Sequence, residues 1–207
     1  MKIFNLFNRK KELKTATWKD ITLEMFYKLR DILACPDEFT IANIIELIYK
    51  VDVTNLPITK TSKYDISFLE KELPIKNVKL KDKYVLNGRK YSSNINLTEV
   101  TTAQFIDFTN YSKEKEVRYE KLLSVFMVPE GHRYNDGYDL MEVQDDILQM
   151  PIADVQSLAF FMIEQFRAFA LIFQHYLTEE ASKMPKELQK VTKEAAQTIT
   201  NLASFQL

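Results

Sequence analysis

The segment "LAFFMIEQFRAFALIF", residues 158 to 173, constrains this chain most. Thirteen of its 16 residues are apolar, all but Glu164, Gln165 and Arg167, and five are Phe: Phe160, Phe161, Phe166, Phe169 and Phe173. A helix built from it is apolar nearly all round, so it must be enclosed by its own domain or by neighbouring subunits. It falls short of the roughly 20 apolar residues that a membrane span needs, and it carries charges, so no membrane contact is expected. The surrounding "IADVQSLAFFMIEQFRAFALIFQHYLTEEASKM" predicts the longest helix of the chain. Pro185 then opens a final helix, where Leu188, Val191, Ala195, Ile199 and Leu202 form a stripe suited to docking.

A second constraint is an echo. "WKDITLEMFYKL" (18 to 29) returns as "LTEVTTAQFIDF" (97 to 108). At an offset of 79, Asp20, Ile21, Thr22, Phe26 and Leu29 correspond to Glu99, Val100, Thr101, Phe105 and Phe108. At an offset of 78, Ile44, Ile45 and Ile48 correspond to Leu122, Leu123 and Phe126. Each half reads as an extended lead, a Thr-capped helix, a break and a second apolar helix. Thr caps the helix, the preceding apolar residue staples its entry, and the Phe four residues on is expected to face the core. Duplication and a shared capping chemistry both account for the pattern.

The remaining elements follow from local signals. Thr22 caps "LEMFYKLRDILA", which stops before Pro36, since the residue ahead of a proline is pushed out of the α region. "FTIANIIELIYKV" predicts a helix with Ile41, Ile44, Ile45 and Ile48 on one face. "NLPITKTSKYDISFLEKEL" predicts a third, weaker helix. Asn87-Gly88 marks a hairpin, because both turn residues need positive φ; strands are expected near 78 to 86 and 89 to 96. Thr101 and Gln104 fit a capping box before "TAQFIDFTNYS". "VRYEKLLSVFMVP" and "LMEVQDDILQM" predict further helices. The reading is a mainly α fold: a multi-helix domain with one inserted β-hairpin and two halves that are candidates for kinship. Its parts are an N-terminal arm (1–16), a first helical half (17–74), a hairpin insertion (75–97), a second half with the Phe-rich helix (98–184) and a C-terminal docking helix (185–207).

Composition agrees with a globular protein. Of 207 residues 46% are hydrophobic, and only 3 Gly and 6 Pro argue against a many-turned all-β fold. Net charge is −1, which gives no global field for nucleic acid. The charge is unevenly spread: residues 1 to 30 hold eight Lys/Arg against three acids, and residues 129 to 184 hold ten acids against three bases. Solvated faces account for that, and so does head-to-tail contact between copies or with a charged partner. "MKIFNLFNRKK" does not fit a signal peptide, and a cytosolic chain is expected.

Chemistry is sparse. Cys35 is the only cysteine, which excludes an internal disulfide and disfavours a Cys-based zinc site; a small buried hydrophobe is the expectation. The two histidines are His132 and His175. His132 lies in "EGHRYNDGYDL" beside Tyr134, Asp136 and Asp139, but the spacing is not that of a calcium loop. His175 is expected to be a satisfied core or interface residue. Asp145 and Asp146 are adjacent on a helix and do not face each other as a catalytic pair. No phosphate loop, GxSxG or HExxH is present, and no cofactor, metal or catalytic residue is assigned. The basic hairpin, with Tyr84 and Tyr91 between lysines, could stack single-stranded nucleic acid, yet Lys on an edge strand also prevents aggregation. Contact surface is therefore the expected mode of action. The residues assigned to it are Phe4, Phe7, Tyr84, Tyr91, Phe161, Phe169, Phe173, Leu188, Val191, Ile199 and Leu202.

The order of "TWKDIT", "LTEVTTAQFIDF", "LLSVFMVPEGHRYNDGYD" and "DVQSLAFFMIEQF", over residues 15 to 177, resembles small proteins from the structural gene modules of tailed phages. The flavour is that of phages infecting Bacteroidetes, including the crAss-like group. That resemblance implies a non-enzymatic virion component, such as a neck, connector or tail ring subunit, that forms a homo-oligomer with other phage structural proteins. It would be assembled in the host cytoplasm and carried in the virion. A tail-assembly chaperone left behind in the host is the alternative, and a metal-dependent enzyme the outside one.

Overall fold

A computed structural model describes residues 14–73, 83–93, 99–183, 185 and 190. The chain is mainly α with a small β portion. It divides into two compact units, Met1–Pro74 with Pro151–Ala153, and Ile75–Met150 with Asp154–Leu207.

In the first unit, a two-residue strand β1 (Lys14–Thr15) leads to helix α1 (Leu23–Ala34). Thr22 caps α1 as expected: its φ and ψ are −76° and 164°, and its hydroxyl accepts from the Met25 amide at 3.2 Å. Ile21 and Leu23 flank that cap and are fully buried. The entry is fixed from outside as well, because the Ile152 amide donates to the Ile21 carbonyl at 2.8 Å. Helix α2 (Thr40–Tyr49) stops at Lys50, whose φ of 56° puts it in the left-handed region. Its amide there donates to the Glu46 carbonyl, closing the last turn.

The helix expected over "NLPITKTSKYDISFLEKEL" does not form. One turn, α3 (Ile58–Thr61), is followed by strand β2 (Tyr64–Asp65) and a 3-10 turn, Ser67–Glu70. β-Branched Ile58, Thr59 and Thr61 weaken the helix, and β2 instead pairs in parallel with β1, Lys14 opposite Tyr64. Tyr49 clamps this pair. Its hydroxyl accepts from the Ala16 amide at 3.1 Å and lies 2.9 Å from the Lys14 carbonyl and 2.6 Å from that of Asp65. Trp18 packs edge-on against Phe68 with ring centres 5.3 Å apart, and its indole nitrogen donates to the Lys71 carbonyl at 3.1 Å.

The second unit contains the hairpin. Strands β3 (Lys83–Leu86) and β4 (Arg89–Ser93) are joined by Asn87 and Gly88 at φ 48° and 78°, the turn that the dipeptide predicts. The outer parts of both predicted strands lie outside the described residues. Helix α4 (Thr102–Ser112) opens on the full capping box: the Thr101 hydroxyl accepts from the Gln104 amide, and the Gln104 side chain accepts from the Thr101 amide.

The helix predicted over "VRYEKLLSVFMVP" is cut short. Helix α5 (Tyr119–Ser124) gives way to strand β5 (Met127–Pro129), which pairs antiparallel with β4. Pro129 holds Val128 extended, and β4 offers an unpaired edge to receive it, so the sheet has three strands in the order β3-β4-β5. Helix α6 (Leu140–Leu148), capped by Asp139, precedes the long α7 (Ile152–Lys183).

Buried residues in this unit run almost unbroken from Leu122 to Val128. Phe108, Phe126 and Phe166 form an aromatic cluster, with Phe108 and Phe166 stacked at 4.0 Å between ring centres. Within α1 and α4, the echoed Leu29 and Phe108 are buried; Phe26 and Phe105, expected to face the core, are only half-buried. The residues assigned to a C-terminal helix, including Leu188, Val191, Ile199 and Leu202, and those of the predicted arm with Phe4 and Phe7 lie outside the described residues.

Candidate functional site

Of the residues assigned to contact from sequence, Tyr84, Tyr91 and Phe161 have described side chains. Tyr91 is a correction: it is 1% exposed, one of the largest fully buried side chains. Its ring points from β4 into the second unit, and its hydroxyl donates to the Asp146 carboxylate on α6. The other Asp146 oxygen accepts from the Asn87 side chain at 2.8 Å. Arg89 lies 3.7 Å from that carboxylate and pairs with Glu142 at 2.8 Å. Burial, then the bond to Asp146, pushes the Tyr91 phenol up to about 12. This network pins the hairpin turn to α6. A buried carboxylate needs such partners, because stranding it costs several kcal/mol, about 3–5.

Tyr84 on β3 is half-buried, and so is Phe161 on α7. The side chains of Phe169 and Phe173 lie outside the described set. On α7 the exposed apolar residues are instead Phe160, Leu171, Ile172 and Tyr176. Cys35 and His175, expected to be enclosed, are both exposed. Cys35 directly follows the last residue of α1, where no neighbouring element covers it. His175 sits on the later part of α7, beyond Phe166, the last buried residue of that helix among the described side chains.

Two concavities are candidate sites. One, in the second unit, has a volume of about 560 Å³ and is lined by Ser92, Thr101, Gln104, Phe126, His132 and Tyr134 among others. Several of its polar groups are committed to structure. The Ser92 hydroxyl donates to the Val128 carbonyl at 3.3 Å, and the Gln104 amide donates to the Val125 carbonyl at 2.9 Å. His132 Nδ1 donates to the Asp136 carbonyl at 3.0 Å, which ties the polar loop to itself. Tyr134 donates to Asp107 at 2.7 Å; burial and that carboxylate raise its phenol well above the usual tyrosine range. A hydroxyl so placed is a poor nucleophile or base, and the pattern is that of a braced loop.

The other concavity is an apolar groove in the first unit, of about 490 Å³. Phe39, Ile41 and Ile45 from α2 line one side, and Val53, Leu56, Ile58 and Tyr64 line the rest. Ile45 and Val53 form its buried floor. Its lips are open: Ile58 is 86% exposed, Ile41 61% and Phe39 49%. Ile41 was expected on the same face as Ile44 and Ile45. It is, in helical register, but no described residue covers that part of the face. Sequence reading missed the groove, since Ile58 stood inside a predicted helix. A signal was present in Ile58 beside Pro57, an apolar residue at the start of a segment too short to hide it.

Among the described residues, no group of three or more His, Cys, Asp or Glu side chains is placed to hold a metal, and no helix is long and apolar enough to cross a membrane. Comparison with protein families, with curated proteins and with solved structures finds no match.

Proposed function

We propose that this chain is a non-enzymatic subunit of a phage particle, of the connector or tail ring kind, and that it acts through protein–protein contact. The observation that carries the contact reading is the open groove. Three large apolar side chains, Phe39, Ile41 and Ile58, stand at its lips with 49%, 61% and 86% of their surface in water. Contiguous exposed apolar surface of this sort marks interaction sites. Leu171, Ile172 and Tyr176 on α7 add a second exposed apolar stretch. The phage assignment is supported by the order of the four sequence segments quoted above, and it includes homo-oligomers and other structural proteins as partners.

The groove also favours a second reading, a tail-assembly chaperone. An extended apolar segment of a tail protein would fit it, and a chaperone would then be left in the host cytoplasm. Mass spectrometry of purified particles separates the two. The virion reading expects the chain in mature particles at a fixed copy number, and light scattering of the isolated chain should show an oligomer. A stable monomer that is missing from particles overturns the virion reading and supports the chaperone.

A further inference from the structure

We infer that the groove of the first unit is a two-fold contact between two copies of this chain, with Ile58 of each copy seated in the groove of the other. This deepens the contact reading given above and rests on it, but not on the phage assignment. The groove is open in the single chain, and only association covers it.

Three observations point to a second copy as the occupant. The first is that one patch carries both a knob and a hole. Ile58, at 86% exposure, is the most exposed large apolar residue among those described. The groove beside it has a buried apolar floor in Ile45 and Val53. A patch that holds both is self-complementary, and a two-fold contact requires that: residue i of one copy meets residue j of the other, and j meets i. The second is that the knob is held in place. The Pro57 carbonyl accepts from the Lys60 and Thr61 amides at 2.7 and 3.1 Å, and the Ile58 carbonyl accepts from the Ser62 amide at 2.9 Å. A side chain presented on a closed turn has less freedom to lose when it docks.

The third is charge. Glu38 is the one charged residue among the described lining of the groove. Its neighbours Asp37 and Asp52 are already engaged, accepting from the Phe39 and Thr54 amides at 2.9 and 2.8 Å. Glu38 and Lys60 are both exposed, and among the described residues neither forms an ion pair. Lys60 lies two positions past the knob, and Glu38 directly precedes the lip residue Phe39. Seating Ile58 in a partner's groove therefore carries Lys60 toward the partner's Glu38, and the two-fold axis makes that pair twice. The apolar set is small, so the dimer belongs at the weak end of such contacts, with a Kd on the order of micromolar, and separates on dilution.

The test is sedimentation equilibrium of the full chain over a concentration series. The parent should pass from the mass of one chain to that of two. Ile58→Asp should weaken the dimer about tenfold or more. Its circular dichroism and Trp18 emission should match those of the dilute parent, because Ile58 contributes little to the interior of its own chain. Lys60→Glu and Glu38→Lys should each weaken the dimer about fivefold. The Glu38→Lys, Lys60→Glu double variant should regain the parent affinity, and added salt should shrink the difference between single and double variants. A parent that stays monomeric throughout overturns the inference and leaves the groove to another protein, so the contact reading survives. A dimer indifferent to Ile58→Asp overturns it by placing the contact on another face. Masses beyond two chains that vanish with Ile58→Asp, or a double variant that does not recover, overturn the two-fold arrangement. None of these results bears on the phage assignment, which mass spectrometry of particles decides.

Discussion

The two halves of the chain start alike and finish differently. Thr22 and Thr101 have nearly the same backbone, with φ of −76° and −74° and ψ of 164° and 157°. Each hydroxyl accepts from the amide three residues on, at 3.2 Å in both cases. The second apolar helix also keeps its buried pair: Ile44 and Ile45 in the first half, Leu122 and Leu123 in the second. The divergence comes next. After Leu123 the chain turns into β5, and Val125, Phe126 and Met127 are all buried. After Ile45 the helix simply runs on to Tyr49, and the groove beside it stays open. The stretch after Leu123 spends its apolar residues on the interior, whereas the surroundings of Ile45 leave Phe39, Ile41 and Ile58 at the surface. Covering a helix pair takes an added layer, and in the second half β5 supplies it directly after the second helix.

Substitutions should break this contrast in a definite order. Phe166→Ala removes the ring shared by Phe108 and Phe126, and the second unit should lose about 4 kcal/mol in denaturant unfolding. Asp146→Ala strands the Tyr91 hydroxyl and the Asn87 amide and should cost about 3 kcal/mol by the same measurement. Thr22→Ala and Thr101→Ala should each cost about 1 kcal/mol. Equal losses would show that the Gln104 half of the capping box adds nothing. Ile41→Ser should change stability by no more than about 0.5 kcal/mol, because the side chain is mostly exposed. A large loss there would mean that the groove is covered in solution.

The same contrast should be visible in pH. In the unfolded chain the Tyr91 phenol ionises at the ordinary 10.0, and in the folded chain only at about 12. Folding therefore favours the protonated phenol. The corresponding stability is fully present below pH 10 and is lost as pH rises through 12. Alkaline unfolding of the second unit should be steep over that interval and shallower in Tyr91→Phe. A pH profile identical in the two proteins would remove Tyr91 as its origin.

How much of this was legible in the sequence depended on the range of the signal. Caps, the Asn87-Gly88 turn and the helical stripes act within a few residues, and α1, α2, α4, α6 and α7 follow from them. The strands β1, β2 and β5 are held by partners from 34 to 50 residues away, such as Lys14 with Tyr64 and Met127 with Ser93, so local patterns miss them. Tyr91 illustrates the same limit. Flanked by Lys90 and Ser92, it reads as an exposed aromatic, and only Asp146, 55 positions on, explains its burial. Ile41 shows a further limit. Periodicity tells which residues share a face, and says nothing of whether that face is covered.

Trp18 is the chain's single tryptophan, and it lies in the first unit, edge-on to Phe68 with its indole nitrogen bonded to Lys71. Indole emission from this protein is therefore a private reporter. It registers the melting of the grooved unit and is blind to the other, whose folding must be followed through its helices or tyrosines. Two probes that disagree on a midpoint would then signify two cooperative transitions, observed in an unlabelled chain with no engineered dye.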